Sequence, residues 1–293
     1  MNKSKIQVLV EGTVGSMLSL LKVIILSKLG VRLAKKVNNE CVILANGPSL
    51  NDAIEEGAKL FPGKDLICVN TFAETEPYQK LKPSYYVLIS PELYRPNVEE
   101  FLKQKRKQLF TAIAENTTWA LSLYIPIEAK KYEDWRSIIS KNERISIYYF
   151  NTSPVEGLRS ANHFLFRQNL GMPRPHNVLI PSLFLSINMA YQKIYLLGVD
   201  HSWLKDIWVT EDNRVLLTQK HFYDTDTAKP EPMNKGGRGE RKLHEVLQKF
   251  LYAFRGYFIL NGYAKSKGVQ ILNLTEGSYI DAFERASINK TGN

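Results

Sequence analysis

His201 and His221 are the side chains of this sequence best suited to proton transfer. A general base must titrate near neutral pH, and imidazole does so without help from its surroundings. His221 lies in the segment 220–224, Lys-His-Phe-Tyr-Asp, so a base, the phenol of Tyr223 and a carboxylate are close in the chain. A phenol can hydrogen-bond a departing phosphate. We therefore expect catalytic roles for both histidines and Tyr223; a surface or capping role is the alternative for each.

Asp200 directly precedes His201 and is the acidic candidate. It can coordinate a metal, orient a histidine or cap a turn, and the sequence does not separate these roles. The sequence has no cluster of His, Cys and carboxylates with the spacing of a zinc site. We predict no tightly bound structural metal and no obligatory cofactor, while a divalent cation such as Mg²⁺ is compatible with the pattern.

A second polar group follows the apolar run Cys41–Ala45 and reads Asn-Gly-Pro-Ser over residues 46–49. Its glycine lets the backbone approach a ligand, and Ser49 or Asn51 would cap a helix whose free N–H groups take a phosphate. A plain strand-to-helix turn is the alternative. The turn is neither Gly-x-Gly-x-x-Gly nor a loop ending in Gly-Lys-Ser/Thr, which argues against dinucleotide oxidoreductases and ATPases.

These polar residues stand where apolar runs end, and helical patterns separate the runs, as in parallel strands joined by crossover helices. The predicted strands are Cys41–Ala45, Asp65–Val69, Tyr85–Ile89, Trp119–Tyr124, Ile145–Phe150, Ile194–Val199 and Val269–Asn273. The predicted helices are Asp52–Leu60, Val98–Ala114, Pro181–Tyr191, Glu240–Lys267 and Ser278–Arg285. The fold class is α/β, Rossmann-like, with a mainly parallel sheet and helices on both faces.

In open α/β sheets ligands bind beyond the carboxyl ends of the strands. The predicted nucleotide-binding residues are Asn46, Gly47, Pro48, Ser49, Asn70, Thr71 and Ser90. The segment 229–239 contains two prolines and three glycines, so we expect a mobile loop there that acts as a lid.

The N-terminal segment is rich in Leu, Ile and Val from Gly12 to Leu29, but Lys22 and Lys28 interrupt it. Its uninterrupted apolar stretches are too short for a bilayer, which needs about 20 residues. We expect an amphipathic helix within residues 1–38 that lies on an anionic membrane surface, or alternatively packs on the domain or on a second subunit. Residues 39–293 would form a single catalytic domain.

The net charge and the cysteine content limit the kinds of partner and the cellular compartment that we expect. The formal net charge of +10 favours an anionic partner, but no nucleic-acid-reading module is recognisable, so we expect no nucleic acid. Cys41 and Cys68 lie in apolar runs and are expected to be buried thiols in a reducing compartment. We expect a cytoplasmic location, with peripheral contact to the inner face of the cytoplasmic membrane; a homo-oligomer is compatible with the sequence.

The chain resembles a superfamily that unites bacterial sialyltransferases of the Campylobacter lipooligosaccharide type, motility accessory factors that glycosylate flagellin, and archaeal 6-hydroxymethylpterin diphosphokinase-like proteins. Residues 42–50, Val-Ile-Leu-Ala-Asn-Gly-Pro-Ser-Leu, are similar to the family's Gly-Asn-Gly-Pro-Ser-Leu. Residues 68–72, Cys-Val-Asn-Thr-Phe, carry an Asn at a strand end. Residues 193–200 look like the family's strand that ends in Gly-Ile/Val-Asp, and 271–278 extend the similarity.

The sialyltransferase branch implies a CMP-activated nonulosonic acid held by residues that match Asn46, Ser49 and Asn70. It also implies tyrosines on the leaving phosphate and a histidine base, for which His221 and Tyr223 are loose matches. The family's Arg and Ser-Gly before the buried helix are not reproduced in 174–182. We expect a glycosyltransferase of bacterial surface glycan assembly that uses a nucleotide-sugar donor and a glycan or glycolipid acceptor.

Two other functions remain open. The first is pyrophosphoryl transfer from ATP to a pterin, which would need Mg²⁺ and acidic ligands such as Asp200 and Glu92. The second is a non-catalytic scaffold of a glycan assembly complex at the membrane.

Overall fold

The computed structural model describes residues 4–218, 221–223, 229–234 and 239–291. The helices in this part of the chain are α1 (Lys5–Leu26), α2 (Leu50–Glu56), α3 (Glu76–Leu81), α4 (Glu100–Asn116), α5 (Asp134–Ile139), α6 (Arg159–Arg167), α7 (Leu179–Asn188), α8 (Leu243–Ser266) and α9 (Ile288–Thr291). The strands are β1 (Glu40–Leu44), β2 (Asp65–Val69), β3 (Tyr85–Val87), β4 (Leu121–Pro126), β5 (Ile145–Phe150), β6 (Lys193–Leu197), β7 (Ile207–Val209), β8 (Val215–Leu217), β9 (Glu231–Pro232), β10 (Gln270–Asn273) and β11 (Glu284–Arg285).

The main sheet has the strand order β11-β10-β6-β1-β2-β3-β4-β5, and every pairing within it is parallel. The predicted α/β fold class is therefore confirmed. From β1 the chain adds β2 to β5 on one side and then returns to place β6 on the other side of β1. The strand order thus reverses between β1 and β6, which is the topological switch point of the sheet. β7, β8 and β9 form a small antiparallel sheet.

Helices cover both faces of the main sheet, which is why its central strands are apolar at successive positions. Cys41 and Ile43 of β1 belong to a core with Val23 of α1, Phe184 of α7 and Tyr257 of α8. The alternate residues of β1 pack with α2, α3, α4 and α5 on the opposite face. The two cysteines are buried and free, as expected.

The segment that joins α1 to β1 is fastened by a buried carboxylate. Asp65 is 1% exposed, and its carboxylate accepts the backbone N–H groups of Val37 and Asn38 and the side-chain amide of Asn38. The phenol of Tyr191 donates to the same carboxylate at 2.7 Å. The predicted junction near Asn38 is therefore held firmly against the sheet.

Helix α1 lies within the predicted segment 1–38 and begins at Lys5. The hydroxyl of Ser4 accepts the backbone N–H of Gln7 and caps a helix of 22 residues. The sequence expectation that its apolar stretches are too short to cross a bilayer is wrong by length and composition, because the continuous helix has a mean hydropathy of 1.8 over its most apolar 18-residue window. One face of α1 packs on the domain, while most of the helix is exposed.

Other differences have local causes. Helix α7 begins at Leu179, before Pro181, because Asn177 Oδ1 accepts the N–H groups of Leu179 and Ile180. The closing helix predicted over Ser278–Arg285 is wrong: Glu284 and Arg285 pair with β10 as a strand. The remaining predicted elements differ from the observed ones by a few residues at their ends. Residues 235–238 of the predicted lid lie outside the described residues.

Candidate functional site

A cleft of about 660 Å³ opens at the carboxyl edge of the main sheet, over the switch point between β1 and β6. We call it the switch-point cleft. Its polar lining consists of Asn46, Asn70, Ser90, Glu92, His176, Asn177, Asp200, His201, Ser202, Asp206, Thr218, His221, Asn234 and Lys249. Crevices at this position are where open α/β sheets bind ligands. Gly47 and Pro48 also line the cleft, whereas Ser49, Thr71 and Tyr223 are not part of its lining.

Asn46 lines the cleft and has a buried acceptor atom. It is 6% exposed, and its Nδ2 donates to the carbonyl oxygen of Val69 and to Thr71 Oγ1, both at 3.4 Å. A carbonyl oxygen can only accept, so this contact fixes the orientation of the amide. Asn46 Oδ1 has no hydrogen-bond partner among the described residues. An unpaired buried acceptor costs about 1–3 kcal/mol, which a donor group of a ligand would recover.

Asp200 binds the turn after β1 rather than projecting freely. Ser49 Oγ donates to Asp200 Oδ2 at 2.9 Å, and the backbone N–H of Ser49 donates to Oδ1 at 3.3 Å. Burial raises the pKa of the Asp200 carboxyl, while the Ser49 hydrogen bonds lower it. The predicted phosphate site at the first helix is not supported, because Asp200 already occupies the N–H of Ser49 and α2 has only seven residues.

The capping roles expected for Ser49 and Asn51 are also wrong. Ser49 makes no side-chain cap to α2, since its hydroxyl is used by Asp200. Asn51 Nδ2 donates instead to the carbonyl oxygen of Phe222 at 2.6 Å. Both side chains therefore tie distant segments to the turn after β1.

Gly47 is required because the Asp200 carboxylate lies against it. A Cβ at this position would overlap Asp200 Oδ2 and would lie 2.5 Å from the carbonyl oxygen of Gly198. The backbone N–H of Gly47 also donates to that oxygen, at 2.9 Å. Gly47 thus allows the ends of β1 and β6 to meet at the cleft floor.

Gly47→Ala is expected to separate these two strand ends, because the overlap involves backbone as well as the carboxylate. We expect the free energy of unfolding, measured in urea, to fall by about 1–3 kcal/mol. Gly262→Ala on α8 is the matched control, since its Cβ would meet nothing closer than 4.0 Å. Equal stability of Gly47→Ala and the unmodified chain would contradict this packing.

His221 is held at the cleft by contacts of the residues beside it. The backbone N–H of Phe222 donates to the carbonyl oxygen of Asn46 at 3.1 Å, and its ring packs on Phe72 at 5.7 Å. Tyr223 stacks on His221 with 5.1 Å between ring centroids, and its hydroxyl lies 2.7 Å from Thr71 Oγ1. Thr71 and Tyr223 therefore position the segment without lining the cleft. Lys220 and Asp224 of the sequence motif are outside the described residues.

His201 is in surroundings unlike those expected. Its ring stacks on Trp203 with 4.2 Å between centroids, and its Nδ1 lies 2.9 Å from the hydroxyl of Tyr257. Asn177 Nδ2 donates to the same hydroxyl oxygen at 2.5 Å, so the proton of Tyr257 is free to point at Nδ1. Burial lowers the pKa of His201 to about 3. The expectation that His201 titrates near neutral pH is therefore wrong.

His176 and Lys249 line the cleft but are not among the site residues predicted from the sequence. Burial, aided by the cation of Arg174, lowers the pKa of His176 to about 4. Burial also lowers the pKa of Lys249, as does nearby Arg241, while Glu92 raises it. Lys249 is the only lysine or arginine among the described residues that line the cleft. It supplies the positive charge that an anionic ligand would meet there.

The remaining predicted residues sit at the strand ends as follows. Asn70 and Ser90 line the cleft after β2 and β3. Asn70 has a left-handed backbone, with φ of 52°, and its carbonyl oxygen accepts a hydrogen bond from the hydroxyl of Tyr86 at 2.5 Å.

Among the described residues no group of three or more His, Cys, Asp and Glu side chains is placed to hold a metal ion. The compatibility of the site with a divalent cation such as Mg²⁺ stays a prediction.

The two histidines of low pKa are expected to make the fold sensitive to acid. In the unfolded chain both histidines have a pKa of about 6.5. In the folded chain the pKa is about 3 for His201 and about 4 for His176. Above about pH 6.5 both states are neutral; as the pH falls towards about 4 only the unfolded chain gains protons, so stability falls.

A His176→Gln, His201→Gln double variant should lose less unfolding free energy than the unmodified chain between about pH 7 and about pH 4.5. Urea denaturation at each pH measures this, with the exposed His244→Gln as control. If the double variant and the unmodified chain lose equal free energy, neither histidine is held neutral by the fold.

No family model matches the chain, and no curated protein matches it. Among solved structures it is similar to the MAf glycosyltransferase from Magnetospirillum magneticum AMB-1, with 14% sequence identity and a TM-score of 0.49. The likeness covers 95% of this chain and 39% of that one, so this chain spans well under half the length of that protein.

Proposed function

We propose that this protein is a glycosyltransferase, which binds a nucleotide-activated sugar in the switch-point cleft and passes the sugar to a hydroxyl group of a glycan. The observation that carries the proposal is the lining of the cleft. It combines the unpaired buried acceptor of Asn46, the cation of Lys249 and the imidazole of His221 at the carboxyl edge of a parallel sheet. These groups match the parts of such a donor: hydroxyl or amino groups, a phosphate, and a nearby acceptor hydroxyl.

His221 is the general base in this proposal. Of the cleft histidines, His201 and His176 have pKa values lowered to about 3 and about 4, so they are poor proton acceptors at neutral pH. The acceptor oxygen would attack the anomeric carbon while the bond from that carbon to the phosphate oxygen breaks. The nucleotide leaves with the bonding electrons, and His221 takes the hydroxyl proton. Lys249 neutralises the charge that develops on the phosphate.

The finer proposal is a CMP-activated nonulosonic acid as donor and a surface glycan or glycolipid as acceptor. Its support is the sequence resemblance of 42–50, 68–72 and 193–200. Lys249 can pair with the phosphate of such a donor, while Glu92, Asp200 and Asp206 also line the cleft. Pyrophosphoryl transfer has less support, since Asp200, one of its expected metal ligands, is engaged by Ser49 and has a raised pKa.

Thermal-shift measurements on the full chain with CMP, CDP, UDP, GDP and ATP, each with and without Mg²⁺, test this function. We expect CMP to raise the melting temperature without Mg²⁺. Stabilisation by ATP with Mg²⁺ alone would replace the proposal with pyrophosphoryl transfer. If no nucleotide raises the melting temperature, the scaffold function gains support instead.

A further inference from the structure

Helix α1 carries an apolar surface that the rest of the described chain leaves uncovered. Ile6, Met17, Ile24 and Ile25 are 76%, 68%, 71% and 67% exposed, and Leu29 just beyond the helix is 86% exposed. Exposed apolar patches of this extent mark sites of contact with another protein or a membrane. The helix is also long and apolar enough, by length and composition, to cross a membrane.

The opposite side of α1 is locked onto the domain. Ser19 Oγ donates to the carbonyl oxygen of Glu156 at 2.7 Å and accepts its N–H at 2.8 Å. Ser16 Oγ accepts the N–H of Leu158 at 2.8 Å, and Ser27 Oγ lies 2.7 Å from Ser153 Oγ. A Cβ at Gly15 would lie 3.1 Å from Gly157 Cα, so glycine permits close approach there.

These contacts decide how α1 meets a bilayer. They run from Gly15 to Ser27, a rise of about 18 Å along the helix. If α1 crossed the membrane, the loop 153–158 would be drawn into the hydrocarbon together with Glu156 and its ion-pair partner Arg174. Burying such groups in lipid is costly. A bilayer could therefore meet the docked helix only with α1 in the plane of the membrane and its exposed side inserted.

A basic pocket of about 630 Å³ adjoins the end of α1. We call it the basic pocket; its cations are Lys28, Arg32, Lys130 and Lys131, and its walls include Tyr148 and Tyr149. None of the described residues that line it is acidic. The nearby carboxylate of Glu128 is paired with Arg95 at 2.8 Å.

Hydrogen bonds hold the backbone of Lys28 in one conformation and so define the shape of the pocket at this point. The buried amide of Asn151 accepts the N–H of Lys28 at 2.9 Å and donates to its carbonyl oxygen at 2.8 Å. This pair of bonds turns the chain at the end of α1 and directs residues 28–32 along the edge strand β5. Cations are thus presented at the level where the apolar helix ends.

We propose that α1 and the basic pocket form one membrane-docking surface: α1 inserts in the plane of the bilayer, and the basic pocket binds the phosphate of an anionic lipid headgroup. The occupant is a lipid bilayer because apolar side chains and cations adjoin, as in interfacial helices that bind anionic membranes. Membrane docking is independent of the reaction in the switch-point cleft.

Sedimentation of the full chain with vesicles tests this surface. We compare phosphatidylcholine vesicles with vesicles that also contain phosphatidylglycerol, and expect tighter binding to the latter. An Arg32→Gln, Lys130→Gln, Lys131→Gln variant should lose about 100-fold of the affinity for the anionic vesicles. The matched control removes the same charge from exposed lysines that do not line the basic pocket: Lys105→Gln, Lys107→Gln, Lys141→Gln. If both triple variants lost the same affinity for the anionic vesicles, headgroup binding in the basic pocket would be contradicted.

The exposed pair Ile24→Gln, Ile25→Gln should lose binding to both kinds of vesicle while its thermal melt stays unchanged. A stable dimer of the unmodified chain in analytical ultracentrifugation, together with no vesicle binding, would mean that a second copy covers α1 and would overturn the proposal. Adding inorganic phosphate to the vesicle assay tests whether the basic pocket binds free phosphate rather than a lipid headgroup. We expect the protein to stay bound to the vesicles through α1 when phosphate is added. If phosphate released all of the protein from the vesicles, the insertion of α1 into the bilayer would be contradicted.

Orientation is tested by cysteine labelling, since the native Cys41 and Cys68 are buried. Lys5→Cys places a thiol at the start of α1, and Lys35→Cys places a thiol beyond its end. On protein bound to vesicles, an impermeant maleimide added outside should label both. Protection of Lys5→Cys until detergent is added would show a spanning helix and overturn the in-plane arrangement.

Discussion

His221→Ala is expected to lower the rate of sugar transfer by about 100- to 10,000-fold, the range over which general bases contribute. Affinity for the nucleotide should stay within a few-fold, because the cation and the buried acceptor of the cleft are elsewhere, at Lys249 and Asn46. Single-turnover transfer kinetics measure the rate, and calorimetric titration measures the affinity.

The matched control is His244→Ala, an exposed histidine on α8 that is not part of the cleft lining. It should leave both quantities unchanged. A His221→Ala protein that transfers sugar at the normal rate would remove His221 from the chemistry.

Lys249→Met is expected to weaken nucleotide binding by about 10- to 100-fold, because a charge-assisted contact to phosphate contributes about 1.5–3 kcal/mol. Folding should not suffer. Burial lowers the pKa of Lys249, which means that the fold disfavours its charge, and methionine fills a similar volume without one. Stability should therefore stay equal or rise while affinity falls.

This opposite response separates a binding role from a structural one. Titration with nucleotide measures affinity, and thermal melting measures stability. Lys265→Met, an exposed lysine on the same helix, is the control and should change neither. Unchanged affinity in Lys249→Met would show that the phosphate lies elsewhere.

The parallel sheet was predictable because its strands are apolar at successive positions and end in polar turns. Cys41–Ala45 followed by Asn-Gly-Pro-Ser, and the run that ends in Asp200, place Asn46 and Asp200 at one sheet edge by topology alone. The contact between Asp200 and Ser49 was not predictable, because it depends on how closely β1 and β6 approach beside Gly47.

Lys249 was missed because α8 was treated as one long periodic helix. A signal was present: Lys249 lies on the same helical face as the buried Val246, Ala253 and Gly256, where a charged residue is out of place. The surroundings of His201 carried no such signal, since Tyr257 is distant in sequence. Burial, which sets the low pKa of His201, arises only when α7, α8 and the end of β6 come together.

Helix α1 shows a third kind of limit. Lys22 and Lys28 interrupt its apolar pattern, so the sequence predicted an amphipathic helix within residues 1–38. The contacts of α1 with the loop 153–158 involve serines and glycines whose partners lie far along the chain. Such contacts fix the orientation of a helix but leave no periodic trace in the sequence.

A crystal structure of the full chain with bound CMP tests the central claim most directly. The account predicts CMP in the switch-point cleft, with a donor group of the nucleotide on Asn46 Oδ1, the phosphate at Lys249 and His221 facing the position of the sugar. CMP bound only in the basic pocket beside Lys28 and Arg32, with the switch-point cleft empty, would contradict it.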